Sequence, residues 1–216
     1  MKKILFTACL AASVFAQASL LSFDQGTLNL EGVNLNKSAK VNDDRGVATP
    51  MNLELLGAGL RSKTVLFIAA KVYVAQLFSD NKAAFKRDGS ALTSLTANSK
   101  FVALKISMLR NVSASTLSVS FRDALQANNY VIEGELTQLL TIVEQSADAV
   151  QGKSLTMLMS KNSAGGTNIY FEDVTGTQKS FVGSPELMTK VMSIWLGNPA
   201  DSGLQTLKDS LLKPVY

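Results

Sequence analysis

The chain has no histidine and only one cysteine, Cys9, in 216 residues. Without histidine there is no Ser-His-Asp triad, and a lone cysteine cannot form an internal disulfide or a Cys/His zinc site. Cys9 falls within a segment that reads as a cleaved leader, so thiol chemistry is excluded as well. Any chemistry must run on Arg, Lys, Tyr, Ser/Thr or carboxylates. No basic run or aromatic-interleaved patch marks a nucleic-acid site. After the leader, no apolar run is long enough to cross a bilayer, which takes about 20 residues.

The leader covers residues 1–18. Lys2 and Lys3 form a basic n-region, Ile4–Phe15 an apolar h-region, and Ala16-Gln17-Ala18 a small-x-small cleavage site. A lipoprotein signal at Phe6-Thr7-Ala8-Cys9 would leave almost no h-region before the cysteine. The short, Lys-led signal is of the Gram-negative bacterial kind and points to the periplasm. Residues 19–216 are enough for one substantial core, and neither a repeat nor a low-complexity linker divides them. Losing Lys2 and Lys3 brings the mature chain closer to neutral than the formal charge of +4 suggests.

Thr27–Val33 and Leu53–Leu55 alternate as short strands on either side of a polar loop through Asn42-Asp43-Asp44-Arg45-Gly46. Gly57-Ala58-Gly59 reads as a turn. It is no dinucleotide fingerprint, because Ser62 stands where the third glycine belongs. Arg61–Phe78 and Lys100–Arg110 read as long strands rich in β-branched and aromatic residues. Helical stripes follow at Leu117, Phe121, Ala124 and Leu125, then at Leu136, Leu139, Leu140 and Val143. Lys153–Lys161 and Thr167–Asp173 flank Ser163-Ala164-Gly165-Gly166 as a hairpin, and Gln178–Val182 adds a strand.

Ser184 as N-cap with Pro185 at the first position opens another helix, which Gly197 and Pro199 stop. Its stripe is Leu187, Met188, Val191, Met192 and Trp195, read as core. A last helix carries Leu204, Leu207, Leu211 and Leu212. The order predicts an α+β fold, an antiparallel sheet with helices on one face.

If Arg61–Phe78 is one strand, Arg61, Lys63, Val65, Phe67, Ala69, Lys71 and Tyr73 share a face. The centre is apolar on both faces, so both are covered. Cations at the ends could then rim a pocket. A guanidinium fork suits a carboxylate, and a tyrosine hydroxyl can add a third hydrogen bond. The plainer reading makes Lys63 and Lys71 solvated strand ends and Tyr73 a rim residue. On a straight strand Arg61 and Tyr73 would lie ~40 Å apart, so their convergence requires a sharp bend near Phe67–Lys71. Asp43-Asp44 and Glu172-Asp173 lack the spacing of a calcium loop and read as solvated turns.

Three pieces together resemble the bacterial, secreted branch of the chalcone isomerase-like proteins. They are Leu56-Gly57-Ala58-Gly59-Leu60-Arg61, Lys71-Val72-Tyr73-Val74-Ala75, and Ile194-Trp195-Leu196-Gly197-Asn198-Pro199 followed by Leu207-Lys208 and Leu211-Leu212. The resemblance spans roughly Val33–Leu212. It implies an open-faced β-sandwich, with a large antiparallel sheet under a layer of helices and a ligand cleft between them.

The plant enzymes of that superfamily cyclise chalcones without a cofactor. Their arginine matches Arg61. Their threonine falls at Ile68, their tyrosine near Ser115 or Thr116, and a later hydroxyl residue near Met188. With only the arginine matched, the acid part of the mechanism is missing. Non-catalytic relatives bind fatty acids through this arginine and a tyrosine, for which Tyr73 is the available partner. The expectation is therefore a periplasmic binder of a fatty acid or similar apolar carboxylate, with Arg61 and Tyr73 on the head group and neither metal nor cofactor. The alternatives are a cofactor-free isomerase using Arg61 and an interaction protein whose cleft is packed core.

Overall fold

The computed structural model describes residues 19–42, 51–65 and 68–215. The segment expected to be a leader, residues 1–18, lies outside the described residues, as do Asp43-Asp44 and the pair Leu66-Phe67.

Eight strands form one sheet in chain order, each antiparallel to the next: β1 Leu21–Leu30, β2 Val33–Val41, β3 Met51–Val65, β4 Ile68–Ser79, β5 Phe101–Met108, β6 Ser154–Lys161, β7 Thr167–Glu172 and β8 Gln178–Gly183. Among the described residues five α-helices accompany them: α1 Ala91–Asn98, α2 Ala114–Ala127, α3 Gly134–Glu144, α4 Leu187–Leu196 and α5 Ser202–Leu211. The α+β class is the one the sequence order predicts.

Alternation assigns the two faces. Tyr73, Ala75 and Leu77 of β4, with Leu104 and Ile106 of β5 and Met157 and Met159 of β6, pack with Phe121, Leu139, Met192 and Trp195 in the main core. Met188, Met192 and Trp195 are core residues, as the stripe predicts. On the other face Leu53, Leu55, Phe78, Phe101 and Leu158 form a second core with Leu20, Leu21, Ala39 and Val41. A flat sheet would hold β1 and β4 about 14 Å apart at ~4.8 Å per strand. Yet the Phe23 and Phe78 rings stand 5.7 Å apart, and Lys105 of β5 lies 4.3 Å over the Phe23 ring. The first strands therefore curl over the outer face.

The expected long strand Arg61–Phe78 is two strands. β3 ends at Val65 and β4 begins at Ile68, with Val65 paired to Ile68 and Arg61 to Tyr73. The run Val65-Leu66-Phe67-Ile68 contains no Gly, Pro, Asn or Asp, so nothing in it marks a turn.

Gly57-Ala58-Gly59 is likewise not a turn but lies inside β3. A Cβ on Gly57 would strike the Leu211 carbonyl, and one on Gly59 would sit 2.7 Å from Ser210 Cβ and 2.8 Å from Leu207 Cδ1. The glycines clear a channel for α5 against the strand.

Thr27–Val33 is not one strand either. It is split by a two-residue turn in which Glu31 (φ 54°) and Gly32 (φ 81°) join β1 to β2. α1 has no counterpart in the sequence reading. Ser184 does not cap α4, which starts at Leu187. Its N–H and hydroxyl donate instead to Glu135 at 2.7 and 2.8 Å. Asp173 is 6 % exposed rather than solvated, accepting from the N–H groups of Ala147, Thr175 and Thr177. Glu172 accepts from Ser19 Oγ, the Leu20 N–H and Gln178.

Candidate functional site

Beyond Tyr73, β4 has no further pairing with β5, whose last paired residue is Met108. At this end of the sheet the first turn of α2 and the start of α5 close over the strands. A cavity of about 370 Å³ lies between them, lined by Arg61 and Lys63 of β3, Val72 and Tyr73 of β4, residues 110–113 after β5, Thr116, Leu117, Ser120 and Phe121 of α2, Ile194 of α4 and Leu204 of α5. A more open cleft of about 440 Å³ adjoins it, sharing Arg61, Lys63, Ser120 and Leu204 and adding Asp123 and Asp201.

Because the Arg61–Phe78 run is a hairpin, Arg61 and Tyr73 are cross-strand partners. Directly opposed residues have Cβ atoms about 5 Å apart. The ~40 Å separation of a straight strand does not arise, and both residues line the cavity. Arg61 is 4 % exposed and Tyr73 5 %. Tyr73 is therefore not the rim residue of the plainer reading, whereas Lys63 and Lys71 are exposed as that reading has them. Lys63 is exposed and lines the cavity, whereas Lys71 pairs with Glu31 at 2.5 Å outside it.

Arg61 is oriented by a residue the sequence reading missed. Its Nη2 donates to Asp201 Oδ2 at 2.6 Å, and its Nη1 donates to the Ser62 carbonyl. Asp201 is also the N-cap of α5, its Oδ1 accepting from the Leu204 N–H at 2.9 Å. Burial works against the Asp201 carboxylate. The Leu204 N–H, the Arg61 guanidinium and the Gly203 N–H outweigh it and hold its carboxyl below the usual range. Gly203 makes the approach possible, since a Cβ there would collide with Arg61 Nη1 and the Ser62 carbonyl. A guanidinium has five N–H donors, so these two contacts leave donors for a ligand.

Tyr73 is held by the only tryptophan, whose Nε1 donates to the Tyr73 hydroxyl at 3.2 Å. Among the described residues that hydroxyl donates to no partner, so its proton can serve a group in the cavity. Burial raises its pKa, opposed by the Trp195 hydrogen bond and the Arg61 charge, so it stays a neutral donor at ordinary pH. Trp195 is fixed edge-on against Phe121, with ring centroids 5.2 Å apart. Asn128 ties the end of α4 to α2, donating to the Ser193 and Asn198 carbonyls and accepting from the Asn198 N–H. A Cβ on Gly197 would strike Asn128 Oδ1. Trp195 and Gly197 of the Ile-Trp-Leu-Gly piece thus build the site from behind.

The other positions suggested by the resemblance do not converge here. Ile68 is 72 % exposed and lines neither space, and Met188 is buried in the main core. Thr116 lines the cavity and Ser115 does not. The N-terminus of α2 faces the same space, but Asp148 accepts from the Ala114 N–H and Ser113 from the Thr116 N–H. The positive field is therefore carried mainly by Arg61, Lys63 and Arg110.

Fold and site together define a class: an antiparallel open sheet under helices, with an apolar cavity between the layers that holds a buried guanidinium and a buried phenol. The chain belongs to the chalcone isomerase-like family, whose description its residues 27–213 match. Among solved structures it is similar to a fatty-acid binding protein of Arabidopsis thaliana, with a TM-score of 0.58 at 14 % identity over 84 % of this chain and 92 % of that one. No curated protein matches it.

Proposed function

We propose that the chain is a periplasmic, non-catalytic binding protein that holds a fatty acid or similar apolar carboxylate between sheet and helices. The observation that carries this reading is the pairing of Arg61 with Tyr73. A charged fork and a neutral O–H donor, both buried, line one mostly apolar cavity. The carboxylate would take Arg61 donors and the Tyr73 proton, and the chain would lie against Val72, Leu117, Phe121 and Ile194. At about 370 Å³ the cavity is near the lower end of small-molecule sites, which suits a short or medium acyl chain. The similar Arabidopsis protein, described as fatty-acid binding, supports the ligand class. Non-catalysis is supported by Asp201 occupying part of Arg61 and by Ile68 and Met188 bringing no hydroxyl to the cavity.

Native mass spectrometry of protein purified from periplasm tests both parts. A co-purified carboxylic acid supports the binder, and a mature mass starting at Ser19 supports secretion. An empty protein that turns over naringenin chalcone would install the isomerase instead. In titrations with a medium-chain fatty acid, Arg61→Ala should weaken binding by ~1.5–3 kcal/mol and Tyr73→Phe by ~0.5–1.5 kcal/mol. Unchanged affinity in Arg61→Ala would move the site elsewhere.

A further inference from the structure

Two spaces of different character meet at Arg61. The cavity under the helices is walled mainly by apolar groups, whereas the adjoining cleft is lined by Lys63, Ser120, Asp123, Gln126 and Asp201. Arg61, Lys63, Ser120 and Leu204 border both, so a molecule reaching from one space into the other passes the guanidinium. The polar cleft, at about 440 Å³, is no smaller than the cavity, at about 370 Å³. A bare carboxylate held at Arg61 would end at this passage and leave the cleft unused. Lys63 and Asp123 are both exposed there, and neither has an ion-pair partner among the described residues.

Charge draws the same distinction. Asp201 holds Arg61 at 2.6 Å, so the pair carries no net charge. A carboxylate set directly on it would make two anions share one cation in a site largely shielded from water. A neutral carbonyl oxygen takes the free guanidinium donors and the Tyr73 proton without that penalty. Asp201, partly exposed and lining the cleft, is an acceptor beside these donors. An amide matches the set, since its oxygen accepts and its N–H donates. Anionic charge is better placed further out, at Lys63. We infer that the ligand is an N-acyl amino acid, with its chain in the cavity, its amide carbonyl on Arg61 and Tyr73, its amide N–H on Asp201 and its carboxylate on Lys63. Asp123 and Gln126 would then meet a hydroxyl on the amino acid's side chain. The inference rests on the binding reading and specifies its head group, moving the carboxylate outward and setting an amide in its place.

The test is calorimetric titration of the mature protein with octanoic acid and with N-octanoylserine, which carry the same acyl chain. N-octanoylserine should bind about tenfold or more tightly than octanoic acid, the scale of one further hydrogen bond to a charged group. Lys63→Gln should narrow that preference by up to about fivefold, as fits an exposed ion pair. Asp201→Asn should move the two ligands in opposite directions. Octanoic acid should bind up to about fivefold more tightly once the competing anion is gone. N-octanoylserine should bind more weakly, because an amide NH2 replaces the acceptor for its N–H. Octanoic acid binding as tightly as N-octanoylserine overturns the inference and leaves the binding reading standing. A preference that Lys63→Gln and Asp201→Asn both leave intact overturns it too, since the head group would then lie outside the cleft. If neither ligand binds, the binding reading fails and the inference falls with it.

Discussion

Asp201 serves two structures with its two oxygens, capping α5 with one and holding Arg61 with the other. Asparagine can cap as well as aspartate but carries no charge. Asp201→Asn should therefore keep α5 and release the Arg61 guanidinium. On the binding reading, carboxylate affinity should rise by up to about 1 kcal/mol, the scale of a partly exposed ion pair. Asp201→Ala should also lose the cap, costing about 1 kcal/mol in a urea titration. Tyr73→Phe should carry its own stability cost of about 1–3 kcal/mol, because it leaves the buried Trp195 Nε1 without an acceptor. Arg61 and Tyr73 were legible as a pair from their chemistry and from the family pieces. Asp201 was not, although Asp201-Ser202-Gly203-Leu204 is a readable cap, because Arg61 lies 140 residues earlier. Local sequence carries no trace of such a partner.

The clearest device among the elements is the glycine channel in β3, which lets α5 lie against the strand. Gly57→Ala meets a backbone carbonyl, and Gly59→Ala meets side chains that can yield. Gly57→Ala should be the costlier, at or above the ~1–3 kcal/mol usual for overpacking, with Gly59→Ala at its lower end, both by denaturant melts. Should the order reverse, α5 would be the mobile partner and the strand the rigid one. The same glycines misled the sequence reading, since a Gly-x-Gly inside an apolar strand looks like a turn until the helix it admits is known. The β3–β4 hairpin was illegible for the opposite reason, as its apolar end lacks turn residues. Elements with a strong period or clear punctuation, such as α2, α3, β5 and the β6–β7 hairpin, were readable within a few residues. Ser184 before Pro185 was a sound local signal overridden by a tertiary partner, Glu135, on α3.

Over the whole molecule, Glu135, Asp173 and Asp201 share one electrostatic logic. Burial opposes each charge, but hydrogen bonds, joined by Lys190 at Glu135 and by Arg61 at Asp201, outweigh it and hold each carboxyl below its ordinary value. Such groups stabilise the fold above their unfolded values of 3.8 to 4.5, and the contribution is lost as pH falls through the depressed folded ones. Tyr73 has the opposite sign: its raised pKa stabilises the fold below 10.0 and is lost as pH rises through the folded value. With no histidine to titrate between these limits, Tm should be flat from about pH 5 to 8. Asp173→Asn should shrink the acid limb and Tyr73→Phe the alkaline one.

The strand order has a kinetic side. Every strand pairs with its neighbour in the chain, so most of the sheet can zip from short-range contacts, the longest closure being β5 to β6 around α2 and α3. The cavity instead needs the last helices to return to β3 and β4 across more than half the sequence. Refolding should therefore show sheet ellipticity early and burial of Trp195 late. A chain still missing its final helices would be nearly complete as a sheet, yet Arg61 and Tyr73 would lack the Asp201 and Trp195 contacts that position them.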